Sequence, residues 1–237
     1  MTTYIAKWPQ SDFGKYALNL EKKVVSTWIS KWPGRYLLQI GDPFLSHLSD
    51  HTLVQQRILL EPNQHQVEKP LAFCQGFAET LPFDESSIDV VFLAHALEVV
   101  SHPKEVLQEI HRVLIPEGYL LITGFQPSLF WNLYHQTIGL NRLRAWLLKN
   151  NFEVVSGQLF GFMPLSLQFL GIKWPWLEKI GPVVCPFLST MYAIVVKKRC
   201  ITLTPVKPSW QYSNLWQNEW MGDAAKWSLK NGRKNES

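Results

Sequence analysis

The sequence predicts an α/β protein, a parallel sheet with helices on both of its faces. Three observations carry that prediction. Ile88–Ala94 (IDVVFLA) is apolar apart from Asp89, as a central strand covered on both sides must be. Short apolar runs and helical patterns take turns along the chain, the order that βαβ connections require. Val106, Leu107, Ile110, Val113 and Leu114 recur at helical spacing, so the segment after that strand carries one apolar stripe for the sheet.

Each element has a local cause. Asp12 is placed to cap a helix over Phe13–Lys31, which Pro33-Gly34 ends. Tyr36–Ile40 is an apolar run bounded by glycines, the first strand. Asp42-Pro43 is an N-cap followed by a first-turn proline, opening a short helix to Ser49. Arg57–Leu60 is a second strand, closed by Glu61-Pro62, and Ala72–Gln75 a weaker third. Pro103 takes the first position of a helix begun at His102. Pro116-Glu117-Gly118 puts proline second and glycine fourth in a type I turn, ahead of the strand Tyr119–Thr123. Asn141–Lys149 reads as helix, and Phe152–Ser156 and Met191–Lys197 as a final strand pair.

Composition narrows the class. The chain has 237 residues, 46% hydrophobic and 18% charged, which fits one folded domain with additions and excludes a disordered chain. Three widely spaced cysteines (Cys74, Cys185, Cys200) form no CxxC, which predicts reduced thiols in a cytoplasmic protein without a disulfide framework or structural zinc. The first residues lack the apolar core of a signal peptide. The most apolar run, Gly181–Val196, is broken by Pro182 and Pro186 and falls short of a membrane span. From Lys197 to Ser237 there are eight basic and three acidic residues against a net charge of +4 for the whole chain. That tail is either a solvated terminus or a contact for nucleic acid or an anionic membrane surface.

Ligands of parallel sheets bind outside the carboxyl ends of the strands. The functional question therefore falls on Gln39–Phe44, Glu61–Asn63, Gly76–Glu79 and Ala94–Glu98. The stretch GFAETLPFDESSIDVVFLAHALEVVSHPKEVLQEIHRVLIPEGYLLITGF holds, in order, Ala-Glu before Leu-Pro-Phe, the buried strand, a helix ending Arg-Val-Leu, a Pro-Glu-Gly turn and another strand. In that order it resembles the class I S-adenosylmethionine-dependent methyltransferases of the type 11 kind. The resemblance covers about Tyr36–Phe125 well and extends weakly to Lys197. It implies a Rossmann-like sheet, mostly parallel with an antiparallel last strand. It also implies a cofactor with its methionine part at the opening loop, its ribose at the end of the second strand and its adenine at the loop after the third.

The residues at those places depart from the family pattern by degrees. The opening loop, usually acid-x-Gly-x-Gly-x-Gly, is Gln39-Ile40-Gly41-Asp42-Pro43-Phe44-Leu45. Gln39 replaces the acid, and Pro43 and Leu45 replace two glycines. Side chains there fill space that glycines leave to the ligand, and Pro43 has no N–H to offer. Gln39, Gly41 and the helix start at Asp42 remain as cofactor-binding candidates, against the reading of an ordinary turn. Glu61 lies twenty residues after Gly41, the spacing of a ribose-binding carboxylate, whose two oxygens can accept from adjacent hydroxyls. Phe77 stands where the family often has an acid. It can stack on adenine, with the Ala78 amide donating to the ring, or it can fill a vacated pocket.

His95 follows the buried strand and should lie near the transferable methyl. It can act as a base toward an oxygen or nitrogen nucleophile, or bond a backbone group at the strand end. Glu98 can orient it or face solvent. His47 and His51 stand four apart beside Asp50 without an evident third ligand, which reads as a polar helix face, so no metal is expected. Phe160–Leu188 is an apolar insert, packed on the domain's own core or closing as a lid over an apolar acceptor. Trp210, Trp216, Trp220 and Trp227 stand among polar residues of the tail, a docked segment or a stacking surface for single-stranded nucleic acid.

The expected organisation is a methyltransferase-like domain over 1–202, with a helix at 12–32 and the insert at 160–188, and a basic tail over 203–237. The expected function is S-adenosylmethionine-dependent methyl transfer to a small, apolar molecule. The competing expectation is a catalytically inactive binding or scaffold protein with an eroded cofactor loop.

Overall fold

The structure is a computed structural model, and it describes residues 12–62, 71–127, 137–161 and 189–199. The tail after residue 199 and most of the apolar insert, with the expectations attached to them, lie outside the described residues. The first helix, α1, is Asp12–Ile29. Strand β1 (Tyr36–Gly41) leads into a 3-10 helix at Pro43–Ser49, followed by β2 (Gln56–Glu61) and β3 (Ala72–Gln75). Strand β4 (Ile88–Ala94), a one-turn 3-10 helix (Ala96–Glu98), α2 (Pro103–Val113) and β5 (Leu114–Phe125) form the middle. Helix α3 (Leu140–Lys149), β6 (Phe152–Phe160) and β7 (Met191–Lys198) complete it.

Seven strands make one sheet in the order β3-β2-β1-β4-β5-β7-β6. Pairings from β3 across to β5 are parallel, and β7 runs antiparallel to both β5 and β6. The single reversed strand is the one that the resemblance implies.

Strand alternation divides the core in two. Leu37, Val90, Phe92, Leu121 and Val195 pack on one face with Ala17, Val25 and Ile29 of α1 and with Leu45 and Leu48 of the 3-10 helix. Leu38, Val91, Leu93, Leu120 and Ile194 pack on the other with Val106, Ile110 and Val113 of α2 and Leu143 and Leu147 of α3. Helices thus cover both faces.

Two local expectations need correction. Glu117 has φ +65°, which a type I turn does not allow and the third position of a type II turn requires. Gly118 follows because a Cβ there would lie 2.9 Å from the Asp89 carbonyl oxygen. Strand β6 continues past Ser156 to Phe160, absorbing a register shift between Val154 and Ser156. Phe160 is therefore a buried strand residue rather than the start of the insert.

Candidate functional site

The register sets the expected binding residues in one row along the carboxyl edge of the sheet. Ile40 pairs with Leu60 and Gly41 with Ala94, while Glu61 pairs with Gln75. Gly41, Glu61, the turn after β3 and the strand end before His95 therefore stand level. With strands about 4.8 Å apart, the row from β3 to β4 spans about 14 Å.

The loop after β3 is held from α2. Arg112 donates to the Phe83 and Leu81 carbonyls at 2.9 and 3.0 Å, and Glu109 accepts from the Leu81 N–H at 3.0 Å. The Arg112 hydrogen bond holds the Glu109 carboxyl below its usual range. This clamp leaves Phe77 62% exposed above a buried Ala78. Phe77 therefore fills no pocket of the protein and is open to a stacking partner. Phe44 and Val99, on the loops after β1 and β4, are also exposed.

The opening loop is bonded inward. Gln39 is buried, and its Nε2 donates to the Leu45 carbonyl at 3.0 Å while its Oε1 accepts from the Ser49 hydroxyl at 2.6 Å. Its amide thus ties β1 to the 3-10 helix. Asp42 caps that helix, accepting from the Phe44 N–H at 2.8 Å, and the Leu45 N–H bonds the Asp42 carbonyl. With Pro43 lacking a donor, the first three positions of the turn present no amide to a carboxylate. Leu45, at the place of the third glycine, turns away into the α1 core. The same geometry predicts that Gln39→Glu, which restores an acid, destabilises the fold by about 1–3 kcal/mol. A glutamate would aim an acceptor at the Leu45 carbonyl. Urea unfolding at neutral pH measures it, and an unchanged midpoint would contradict the assignment.

His95 lies at the end of β4 with φ +53° and is 2% exposed. Its Nε2 faces Glu21 Oε2 of α1 and its Nδ1 faces Glu98 Oε2, each at 3.3 Å. Burial alone would push its pKa down. Glu21 first, then Glu98, outweigh burial and raise it to about 10. At neutral pH the ring is thus an imidazolium with both N–H groups directed at carboxylates. That state gives up no lone pair to a nucleophile's proton, so the geometry does not equip His95 as a general base. Glu98 does not face solvent: it is buried, and its Oε1 accepts from the Phe125 N–H. Glu21 is the residue missed in the sequence. The available signal was an acid inside the apolar stripe Ala17, Leu18, Val24, Val25 of α1. Among the described residues, no group of three His, Cys, Asp or Glu is arranged to hold a metal.

A family profile described as a methyltransferase domain matches residues 47–122. Over those residues the chain matches a methyltransferase domain. The uncharacterised protein YafS of Escherichia coli is 29% identical to this chain over 220 residues, 85% of each chain. The demethylmenaquinone methyltransferase of Chlamydia felis is 36% identical over 103 residues, 42% of this chain and 45% of its own. A Thermotoga maritima structure titled as a S-adenosylmethionine-dependent methyltransferase, possible histamine N-methyltransferase, superposes with a TM-score of 0.60 at 18% identity. It covers 84% of this chain and 96% of its own, and shows the shared fold.

The cofactor of such a methyltransferase is S-adenosylmethionine. The adenosine half fits the row: Glu61 is a carboxylate at its centre, and exposed Phe77 stands at its β3 end. The amino-acid half meets a turn whose first amides are already bonded. No helix of the described residues is long and apolar enough to cross a membrane.

Proposed function

We propose that this methyltransferase transfers a methyl group from S-adenosylmethionine to an apolar small molecule. The observation that carries the reading is the level row of Gly41, Glu61 and the Phe77-Ala78 turn on one edge of the sheet. In this reading Glu61 accepts from the ribose hydroxyls, Phe77 stacks on the adenine and the Ala78 amide donates to it. The cofactor supplies an already activated methyl, so the chain's work is to hold and align two molecules. That work needs no base at His95. The exposed Phe44, Phe77 and Val99 around the same edge favour an apolar acceptor. A relative named for demethylmenaquinone supports a small organic acceptor over a macromolecule. Reduced thiols, such as the free Cys74, favour the cytoplasm.

Calorimetry with S-adenosylhomocysteine tests the reading. Saturable binding is expected, weakened about tenfold or more in Glu61→Ala by loss of the ribose contacts. Phe77→Ala should cost about 0.5–1.5 kcal/mol of binding. Absence of heat at millimolar ligand would instead support a non-catalytic descendant, which the bonded amides of the Pro43 turn favour.

A further inference from the structure

Glu21 is fully buried, and only one of its carboxylate oxygens is used. Oε2 faces His95, whereas Oε1 has no hydrogen-bond partner among the described residues. A buried acceptor left unpaired costs about 1–3 kcal/mol, so such atoms are rare in native folds and a functional role is one of their recognised causes.

The position of this oxygen gives it a use. Glu21 reaches from α1 to the residue that follows Ala94, and Ala94 is level with Gly41 on one side and Thr123 on the other. In the reading proposed above, on which this inference rests, that is where the transferred methyl meets its acceptor. The surroundings are apolar: the Phe125 ring lies 4.5 Å from the His95 ring, and Ala94, Leu45 and Met191 belong to the same core. We propose that Glu21 Oε1 is the recognition point for the acceptor, which is an apolar body carrying one O–H or N–H donor. His95 and Glu98 are positioning residues. The imidazolium fixes Oε2 and so aims Oε1, and Glu98 anchors the imidazolium to the Phe125 backbone. Glu21 has no surface open to solvent, so acceptor binding requires α1 to shift from the sheet.

Three probes of closely similar shape test this: 4-butylphenol, 4-butylaniline and 4-butyltoluene, titrated by ligand-observed NMR with and without S-adenosylhomocysteine. The unaltered protein should bind the phenol or the aniline about tenfold more tightly than the toluene, which has no donor. The arm that binds more tightly identifies the donor as O–H or N–H. Glu21→Gln, which turns an amide donor or a weaker acceptor toward the same place, should reduce that preference to about unity. Equal binding of all three by the unaltered protein would overturn the inference, as would no binding at millimolar concentration or a preference unchanged in Glu21→Gln. The wild-type comparison stands even if the variant fails to fold. S-adenosylhomocysteine binding without donor preference rejects this inference alone. Donor preference without S-adenosylhomocysteine binding rejects the methyl-transfer reading and keeps the recognition site.

Discussion

His95→Leu should lower the unfolding free energy by about 3–5 kcal/mol, measured by urea denaturation near neutral pH. The variant removes the cation that faces Glu21 and Glu98, and both carboxylates stay buried. Glu98 keeps the Phe125 N–H, but Glu21 loses the partner of Oε2 while Oε1 is already unpaired. The left-handed φ of +53° adds to the cost, because a leucine tolerates it less well than a histidine. Adding Glu21→Leu should recover part of the loss, since it withdraws the charge left without a counterion. A loss within about 0.5 kcal/mol, as for an ordinary surface substitution, would show that the triad does not hold the fold.

The same group gives the stability a pH dependence with a definite sign. The folded value of His95, about 10, lies above the ordinary 6.5, so the folded state binds this proton more tightly than the unfolded chain does. Its stabilisation is complete below about pH 6.5 and is lost as pH rises toward 10. Glu21 faces it from α1 and Glu98 from the short helix after β4. Tyr192 of β7 is pushed up by burial and by Glu98, so its hydroxyl stays neutral through this window. The difference between the wild-type and His95→Leu stabilities should therefore shrink steadily between pH 6.5 and 10. A constant difference would mean that the ring is neutral in the folded protein.

What was legible in the sequence was what local chemistry decides alone. The buried strand Ile88–Ala94 and the Asp42 cap stand where composition put them, because a run apolar apart from Asp89 and an Asp-Pro pair leave the backbone few choices. The 14 Å row at the sheet edge was legible through the spacing from Gly41 to Glu61, and pairing register then made those residues level. The triad was not legible as a unit, because Glu21 and His95 are 74 residues apart and meet only when α1 lies on the sheet. A histidine near the expected methyl reads as a base until its neighbours are known, and here those neighbours reverse its charge state. Gln39 was read as a lost acid. Its real work, a two-ended amide between Leu45 and Ser49, depends on a helix that folds back over β1. Glu117 defeated the type I assignment because the segment is an irregularity within β5, between the Ile88–Leu114 and Val90–Tyr119 pairs, which the tetrapeptide alone does not reveal.

Gly41→Ala should destabilise the protein by at least about 2 kcal/mol with no ligand present, read as a fall in the thermal midpoint of the unliganded protein. The expectation separates two explanations of one glycine. If Gly41 is there for close approach of a cofactor, alanine would weaken binding and leave the unliganded fold unchanged. The geometry gives another cause. Gly41 has φ +144°, where L side chains are rarely found, and a Cβ would lie 2.3 Å from the Ala94 carbonyl oxygen. That atom belongs to the backbone of β4, paired with β1 on one side and β5 on the other, so it cannot swing away as a side-chain tip would. Relief requires parting β1 from β4 at the edge where His95 and its two carboxylates begin. Both a shift in the midpoint and a loosened triad are therefore expected. The second should appear as a smaller pH dependence between 6.5 and 10 than the wild type shows. An unliganded Gly41→Ala protein as stable as the wild type would return the glycine to the cofactor.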